Sequence, residues 1–146
     1  MIDILYQLLN SLGYTHPLHP PLTHLPLGLI MGAFFFGIVA VLRKHADLAV
    51  TAHYCTFLAL LGFLPTVLFG YTDWQHYYQG AMLDEIKAKI ILAAALFLAL
   101  VLAFFLGRKE GDPSRLTFAA YALCFILASS LGYLGGEIVF KGRVSP

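Results

Sequence analysis

The chain has 146 residues, of which 60% are hydrophobic and only 12% carry a charged side chain. Soluble domains carry about 25% charged residues, so this chain lacks the polar surface of a water-soluble protein. A net charge of +1 provides no basic face for nucleic acid. The composition therefore predicts an integral membrane protein, and the length predicts a single domain over residues 1–146.

The cysteines and the start of the chain argue against a disulfide, a zinc site and a signal peptide. Cys55 and Cys124 both lie inside apolar runs, which favours packed thiols over a disulfide or a zinc pair. The start of the chain has no basic segment, and no small-residue cleavage site follows the first long apolar run. We therefore predict that this run is a membrane segment and not a cleaved signal peptide.

The first predicted element covers residues 2–12, where leucine and isoleucine recur at helical spacing with polar residues between them. It is shorter than the roughly 20 residues that a membrane-spanning helix needs. We predict a helix that ends at Gly13. Either it lies in the interfacial plane of the membrane, or it packs on a partner subunit.

Four apolar segments follow, joined by short loops and each long enough to cross a bilayer. They cover roughly residues 20–42, 48–71, 86–106 and 116–140. This pattern predicts an all-α fold, an up-down bundle of four membrane-spanning helices. Pro65 is expected to kink the second span. The segment 71–78, with Trp74 and several tyrosines, predicts an aromatic belt at the membrane interface.

Four spans place the N-terminus, the second loop and the C-terminus on one side of the membrane, which we call the N-terminal side. Basic residues of the first and third loops weakly outweigh those of the N-terminal side, where acidic residues dilute the positive charge. The positive-inside rule therefore predicts that the first and third loops face the cytoplasm. The basic residues on which this depends are Arg43, Lys44, Arg108, Lys109 and Arg115.

Three of the six histidines, His16, His19 and His24, fall within nine residues at the start of the first span. Prolines between them suit the first turn of a helix. The topology adds His76 and Glu137 to the same side. His24 lies deepest in the apolar segment and is the preferred ligand or proton relay, because ionisable groups inside a membrane are usually functional.

The remaining membrane histidine, His53, lies near the start of the second span. The apolar run between His24 and the far end of the first span is about 30 Å long at 1.5 Å per residue. His53 and His24 are therefore not expected to bind one metal ion. We predict that His53 belongs to a separate site near the opposite face.

The polar residues of the N-terminal side allow three kinds of site. One is a b-type haem with axial histidines from the first span and the second loop. Another is a quinone pocket in which a histidine and Glu137 exchange protons. The last is a zinc or copper site with His24, His19 and His76 as ligands. Alternatively, the histidines only cap helices or bind lipid headgroups.

Three stretches resemble the DUF2231 family of small four-span bacterial membrane proteins, and the resemblance covers nearly the whole chain after about residue 14. They are the histidine and proline motif of residues 16–26, the Gly-Tyr-Thr-Asp-Trp run of residues 70–74, and residues 132–140. Many members have a histidine early in the third span, where this chain has Lys87 and Lys89. Either His76 takes the place of that histidine, or Lys89 has another role.

Family members are often fused to, or paired with, c-type cytochrome or Rieske-type modules. The resemblance thus implies a redox role in a bacterial inner membrane. The positive-inside rule places the N-terminus in the periplasm. We predict an electron-transfer subunit, at most one part of a membrane oxidoreductase complex, that binds haem b, a quinone or both. Its expected partners are the lipid bilayer, redox subunits of cytochrome c or iron–sulfur type, and further copies of itself.

The alternatives are a non-catalytic anchor subunit and a histidine-rich zinc or copper protein. The predicted cofactor-binding residues are His24, His19, His16, His76, Glu137 and His53.

Overall fold

The computed structural model describes residues 2–108 and 114–144, with side chains described as far as residue 137 in the second stretch. Within these residues there are five α-helices and no β-strand, which confirms the all-α fold class. The last four helices are long and apolar enough to cross a membrane. The helices are α1 (Ile2–Ser11), α2 (His19–Arg43), α3 (Ala46–Tyr78), α4 (Asp84–Leu106) and α5 (Arg115–Val144).

Small residues form much of the interior of the bundle. Ala52, Ala59 and Ala103 are completely buried, and other alanines surround them in the core. In lipid, helices associate through close packing because lipid tails are as apolar as leucine. The bulky side chains accordingly point outward, as with Leu42, which is 76% exposed.

Helices α2 and α3 form an antiparallel hairpin that turns at Lys44, where φ is 53°. Gly32 lies against Cys55, and Gly62 lies against Leu25. These contacts fix the register of the hairpin. They bring the start of α2 beside the last turns of α3, where the candidate site forms.

Helix α3 continues to Tyr78, seven residues beyond the predicted end of the second span at residue 71. The predicted aromatic belt, residues 71–78, is therefore the final part of α3 and not a separate segment. The helix ends where Gln79 and Gly80 adopt φ values of 51° and 72°. It runs through Pro65 without interruption, and the kink expected there stays a prediction.

Helix α1 confirms the helix predicted for residues 2–12. It ends before Gly13, whose φ of 83° suits glycine. Tyr6 is buried against the end of α3, whereas Ile4 and Leu8 are 68% and 58% exposed. One polar contact face and one exposed apolar face suit a helix at the membrane interface, and a partner subunit could cover the same apolar face.

Candidate functional site

The buried carboxylate of Asp73, near the end of α3, joins three segments of the chain. It accepts hydrogen bonds from the backbone N–H groups of Leu18, at 3.1 Å, and His19, at 2.7 Å. It also accepts one from the hydroxyl of Tyr6. The first N–H groups of a helix have no partner within the helix, and Leu18 provides no side-chain cap for α2. Asp73 therefore caps α2 from the neighbouring helix.

Tyr6 attaches α1 to this centre. Its ring stacks on that of His76, with centroids 4.0 Å apart and planes 3° from parallel. Its hydroxyl lies 3.2 Å from Oγ1 of Thr72 in addition to its bond with Asp73. Burial, and next the hydrogen bond to the Asp73 carboxylate, raise the pKa of Tyr6 to about 12. The phenol is therefore a neutral donor at physiological pH.

The ring of His19 is held in one orientation in the interior of the bundle. Its Nδ1 lies 2.8 Å from the carbonyl oxygen of Thr66. A carbonyl can only accept, so Nδ1 carries the proton and Nε2 presents a free lone pair. Gly70 provides the space, because a Cβ at that position would lie only 2.8 Å from Nδ1 of His19.

Two further helices complete this part of the interior. Lys89 of α4 is half-buried and lies within electrostatic range of His19. Its Nζ lies 3.7 Å from where a Cβ on Gly135 of α5 would be. We call His19, Thr66, Lys89 and Gly135 the His19–Lys89 site. Each of the four spans contributes one of these residues.

His24, the preferred ligand in the sequence analysis, lies outside this site. It follows His19 by five residues, which turns its side chain about 140° around α2. Its ring is exposed, with Nδ1 at 2.8 Å from the carbonyl oxygen of Pro20. The two imidazoles therefore leave α2 on different sides.

The other predicted residues of the N-terminal side lie on other segments of the chain. His16 is exposed, and its ring meets the edge of Tyr14. Nδ1 of His76 lies 3.4 Å from Oδ1 of Asp3, and Tyr6 covers the His76 ring. Glu137 is half-buried at the same end of α5 as Gly135.

His53 lies away from the His19–Lys89 site. Since Cys55 is beside Gly32, His53 is at the level of about residue 34 in the antiparallel α2. That level is ten residues, or about 15 Å, from His24. This distance is shorter than the run of about 30 Å between His24 and the far end of the first span, but it is still too long for a shared metal ion.

Within the described residues, no group of three or more His, Cys, Asp or Glu side chains could hold a metal ion. A haem with two axial histidines needs rings that face one another, whereas His19 and His24 diverge and His76 is covered. The His19–Lys89 site instead has one proton acceptor and one cationic donor, which suit the oxygens of a quinone. The metal and haem sites stay predictions.

Three residues that build this region are not among the predicted site residues. Asp73 stands only within the run of residues 70–74, Tyr6 lies in the short first helix, and Thr66 acts through its backbone carbonyl, which the residue type does not reveal. One usable signal was the spacing of Thr66, Gly70 and Asp73, which places them on one face of a helix. A face of a membrane helix that is built from polar residues and glycine indicates contact with another polar segment.

A family model described as a predicted membrane protein (DUF2231) matches residues 15–145. The match begins just before His16 and leaves α1 outside. No curated protein and no solved structure matches the chain. The family match agrees with the membrane location that the composition and the four apolar helices indicate.

Proposed function

Because the chain belongs to the DUF2231 family of predicted membrane proteins, we propose that it is an electron-transfer subunit that binds a quinone at the His19–Lys89 site. The observation that carries this proposal is the hydrogen bond between Nδ1 of His19 and the Thr66 carbonyl oxygen. It leaves Nε2 of a half-buried imidazole as the acceptor of the ring, and Lys89 lies within electrostatic range of this ring. An acceptor and a cation in a membrane interior suit a neutral ligand whose oxygens gain protons and electrons.

A quinone would supply two-electron chemistry coupled to the gain and loss of two protons. His19 would accept or return a proton at Nε2, while the Thr66 carbonyl holds Nδ1–H and stabilises the imidazolium. The ammonium of Lys89 would donate a hydrogen bond to a carbonyl oxygen and offset negative charge there. Such a charge-assisted bond is stronger than a neutral one and gains further in a low dielectric.

Asp73 and Gly70 would position these groups without touching the ligand. Asp73 fixes the backbone N–H of His19 and so the start of α2. Gly70 leaves room for the imidazole against α3. The electron partner we propose is a cytochrome c or iron–sulfur subunit on the N-terminal side, in a bacterial inner membrane with that side periplasmic. Haem b in place of the quinone would require an imidazole from a partner subunit.

The chain has a single tryptophan, Trp74, adjacent to Asp73, which allows a direct binding experiment. A short-chain benzoquinone is titrated into wild-type protein in lipid nanodiscs, and quenching of Trp74 fluorescence is measured. We expect saturable quenching. His19→Gln and Lys89→Met should each weaken the affinity at least about tenfold, as expected for the loss of one charge-assisted hydrogen bond.

Lys87→Met is the matched control, because Lys87 is an exposed lysine of the same helix that pairs with Asp84. It should bind like the wild type. Equal affinity in the wild type and both site variants would contradict the proposal. An absorption spectrum of the purified protein, reduced with dithionite, distinguishes haem from quinone. Sharp α and β bands would indicate haem. Bands that persist in His19→Gln would indicate that this haem lies at another position.

A further inference from the structure

A second polar cluster lies away from the His19–Lys89 site, where α4 ends. His53 of α3 and Tyr121 of α5 both point at Gly107, which follows the last residue of α4. A Cβ on Gly107 would lie 2.8 Å from Nδ1 of His53 and 2.8 Å from the hydroxyl oxygen of Tyr121. The two polar atoms are therefore separated by no more than twice that distance.

The Nδ1 atom of His53 is buried and, among the described residues, has no hydrogen-bond partner. Buried polar atoms are nearly always hydrogen-bonded, and ordered water satisfies many that the protein leaves open. The His53 ring is itself held in place, because it stacks on Phe104 with centroids 5.0 Å apart. The atom consequently cannot reach solvent by a small rotation without losing that stacking.

Tyr121 is equally constrained. It is only 3% exposed, and its Cδ2 lies 2.8 Å from where a Cβ on Gly37 of α2 would be. Two glycines thus accommodate one tyrosine, with its ring against Gly37 and its hydroxyl at Gly107. The packing fixes the position of the hydroxyl opposite the unsatisfied nitrogen.

We infer that His53 and Tyr121 bind one water molecule between Nδ1 and the phenol oxygen, and that this water exchanges protons with the imidazole. A water that hydrogen-bonds to both atoms spans the separation that the structure allows. A proton that arrives on the water passes to the Nδ1 lone pair, which yields an imidazolium and leaves a neutral water. The carbonyl oxygen of Ala103, 3.2 Å from the same Cβ position, is a further acceptor nearby.

This inference does not rest on the quinone proposal, because the two sites share no residue. It assigns a proton-exchanging group to a second level of the bundle, where the positive charge of Arg108 opposes formation of the imidazolium.

Nitrogen-15 NMR of histidine-labelled protein in lipid bilayers tests this site directly. The chain has six histidines, and the variant His53→Gln assigns the signals of His53. We expect a cross-peak between water and the His53 ring in the wild type. In Tyr121→Phe the Nδ1 signal should move and the cross-peak should weaken, because the water loses one of its two partners.

Gly107→Ala is the second variant, and its methyl group should displace the water and abolish the cross-peak. Tyr133→Phe is the matched control, because Tyr133 is a tyrosine of the same helix that is 71% exposed. It should leave the His53 signals unchanged. The absence of a water cross-peak in the wild type, or its persistence at full intensity in Tyr121→Phe, would overturn the inference. Tyr121→Phe keeps the ring against Gly37, so its result does not depend on whether Gly107→Ala folds.

Discussion

At the scale of single residues, Asp73 has the largest structural role in the candidate site. One buried carboxylate caps α2 through two backbone N–H groups and holds α1 through Tyr6. A buried charge is tolerated when several donors surround it, and here three of them do so. The position of His19 therefore depends on a residue that touches only its backbone.

Removal of this carboxylate should destabilise the protein. For Asp73→Ala we expect a loss of about 2 to 3 kcal/mol in the free energy of unfolding, as for buried hydrogen bonds to a charged group and a lost helix cap. Thermal unfolding in detergent measures the effect. Asp84→Ala is the control, since the Asp84 side chain is 94% exposed in its pair with Lys87 and such pairs contribute at most about 1 kcal/mol. Equal losses in the two variants would contradict the assigned role.

Tyr6 makes the attachment of α1 sensitive to alkaline pH. Its pKa rises from 10.0 to about 12 in the folded protein, so the folded state holds the phenol proton more tightly than the unfolded state. The resulting stability is complete below pH 10 and is lost as the pH rises through 12. We expect the difference in melting temperature between wild type and Tyr6→Phe to shrink over that range.

Tyr71→Phe provides the comparison, because Tyr71 is 52% exposed and its loss should change the melting temperature equally at each pH. A difference between wild type and Tyr6→Phe that stays constant from about pH 8 to pH 12 would contradict the bond between Tyr6 and Asp73.

At the scale of elements, α3 provides the frame of the site. Thr66, Gly70 and Asp73 lie four and three residues apart, on the face of α3 that meets the start of α2. Such spacing aligns side chains along a helix. The Thr66 carbonyl oxygen and the space at Gly70 set the orientation of the His19 ring. The Asp73 carboxylate sets the position of the His19 backbone.

Gly70→Ala tests this frame. The added Cβ would lie 2.8 Å from Nδ1 of His19, so the ring must leave the Thr66 carbonyl. We expect a loss of about 1 kcal/mol in stability for that hydrogen bond and weaker quinone binding in the fluorescence titration. Gly28→Ala is the control, because no atom lies within 4 Å of its added Cβ. If both variants bind the quinone like the wild type, the packing of His19 on Gly70 has no functional role.

The sequence predicted the helices well and the site only in part. Apolar length identifies membrane-spanning segments, and all four were located. The end of α3 was missed, because a helix can continue beyond the membrane until a residue such as Gly80 stops it. Depth along the apolar segment favours His24 over His19 as the ligand. The face of α2 that each histidine occupies depends on the register between α2 and α3, which composition and spacing do not reveal.

At the scale of the whole molecule, most of the surface of each span is available to lipid or to other proteins. Only 22% to 28% of the residues in each apolar window are buried within the chain. Because so few residues of each span face the interior of the bundle, one copy of the chain has little internal space for a large cofactor. The expected redox partner would therefore contact an outer face or the N-terminal side.

The side on which the site lies can be measured by cysteine labelling. In a background that lacks both native cysteines, Gln79→Cys and His45→Cys place a thiol in the second and first loops. We expect a membrane-impermeant maleimide to label Gln79→Cys in intact cells, and His45→Cys only after permeabilisation. The reverse result would invert the orientation, and labelling of both from one side would contradict the four-span topology.

The cap on α2 also has a consequence for how the protein is made. Synthesis produces the start of α2 more than fifty residues before Asp73, so the nascent helix enters the membrane without the acceptor for its first N–H groups. Those groups obtain their partner only when the end of α3 has left the ribosome and returned to the same side. The α2–α3 hairpin is thus the smallest insertion unit in which the start of α2 is complete. The first of the four spans gains its final anchor only after the second has been inserted.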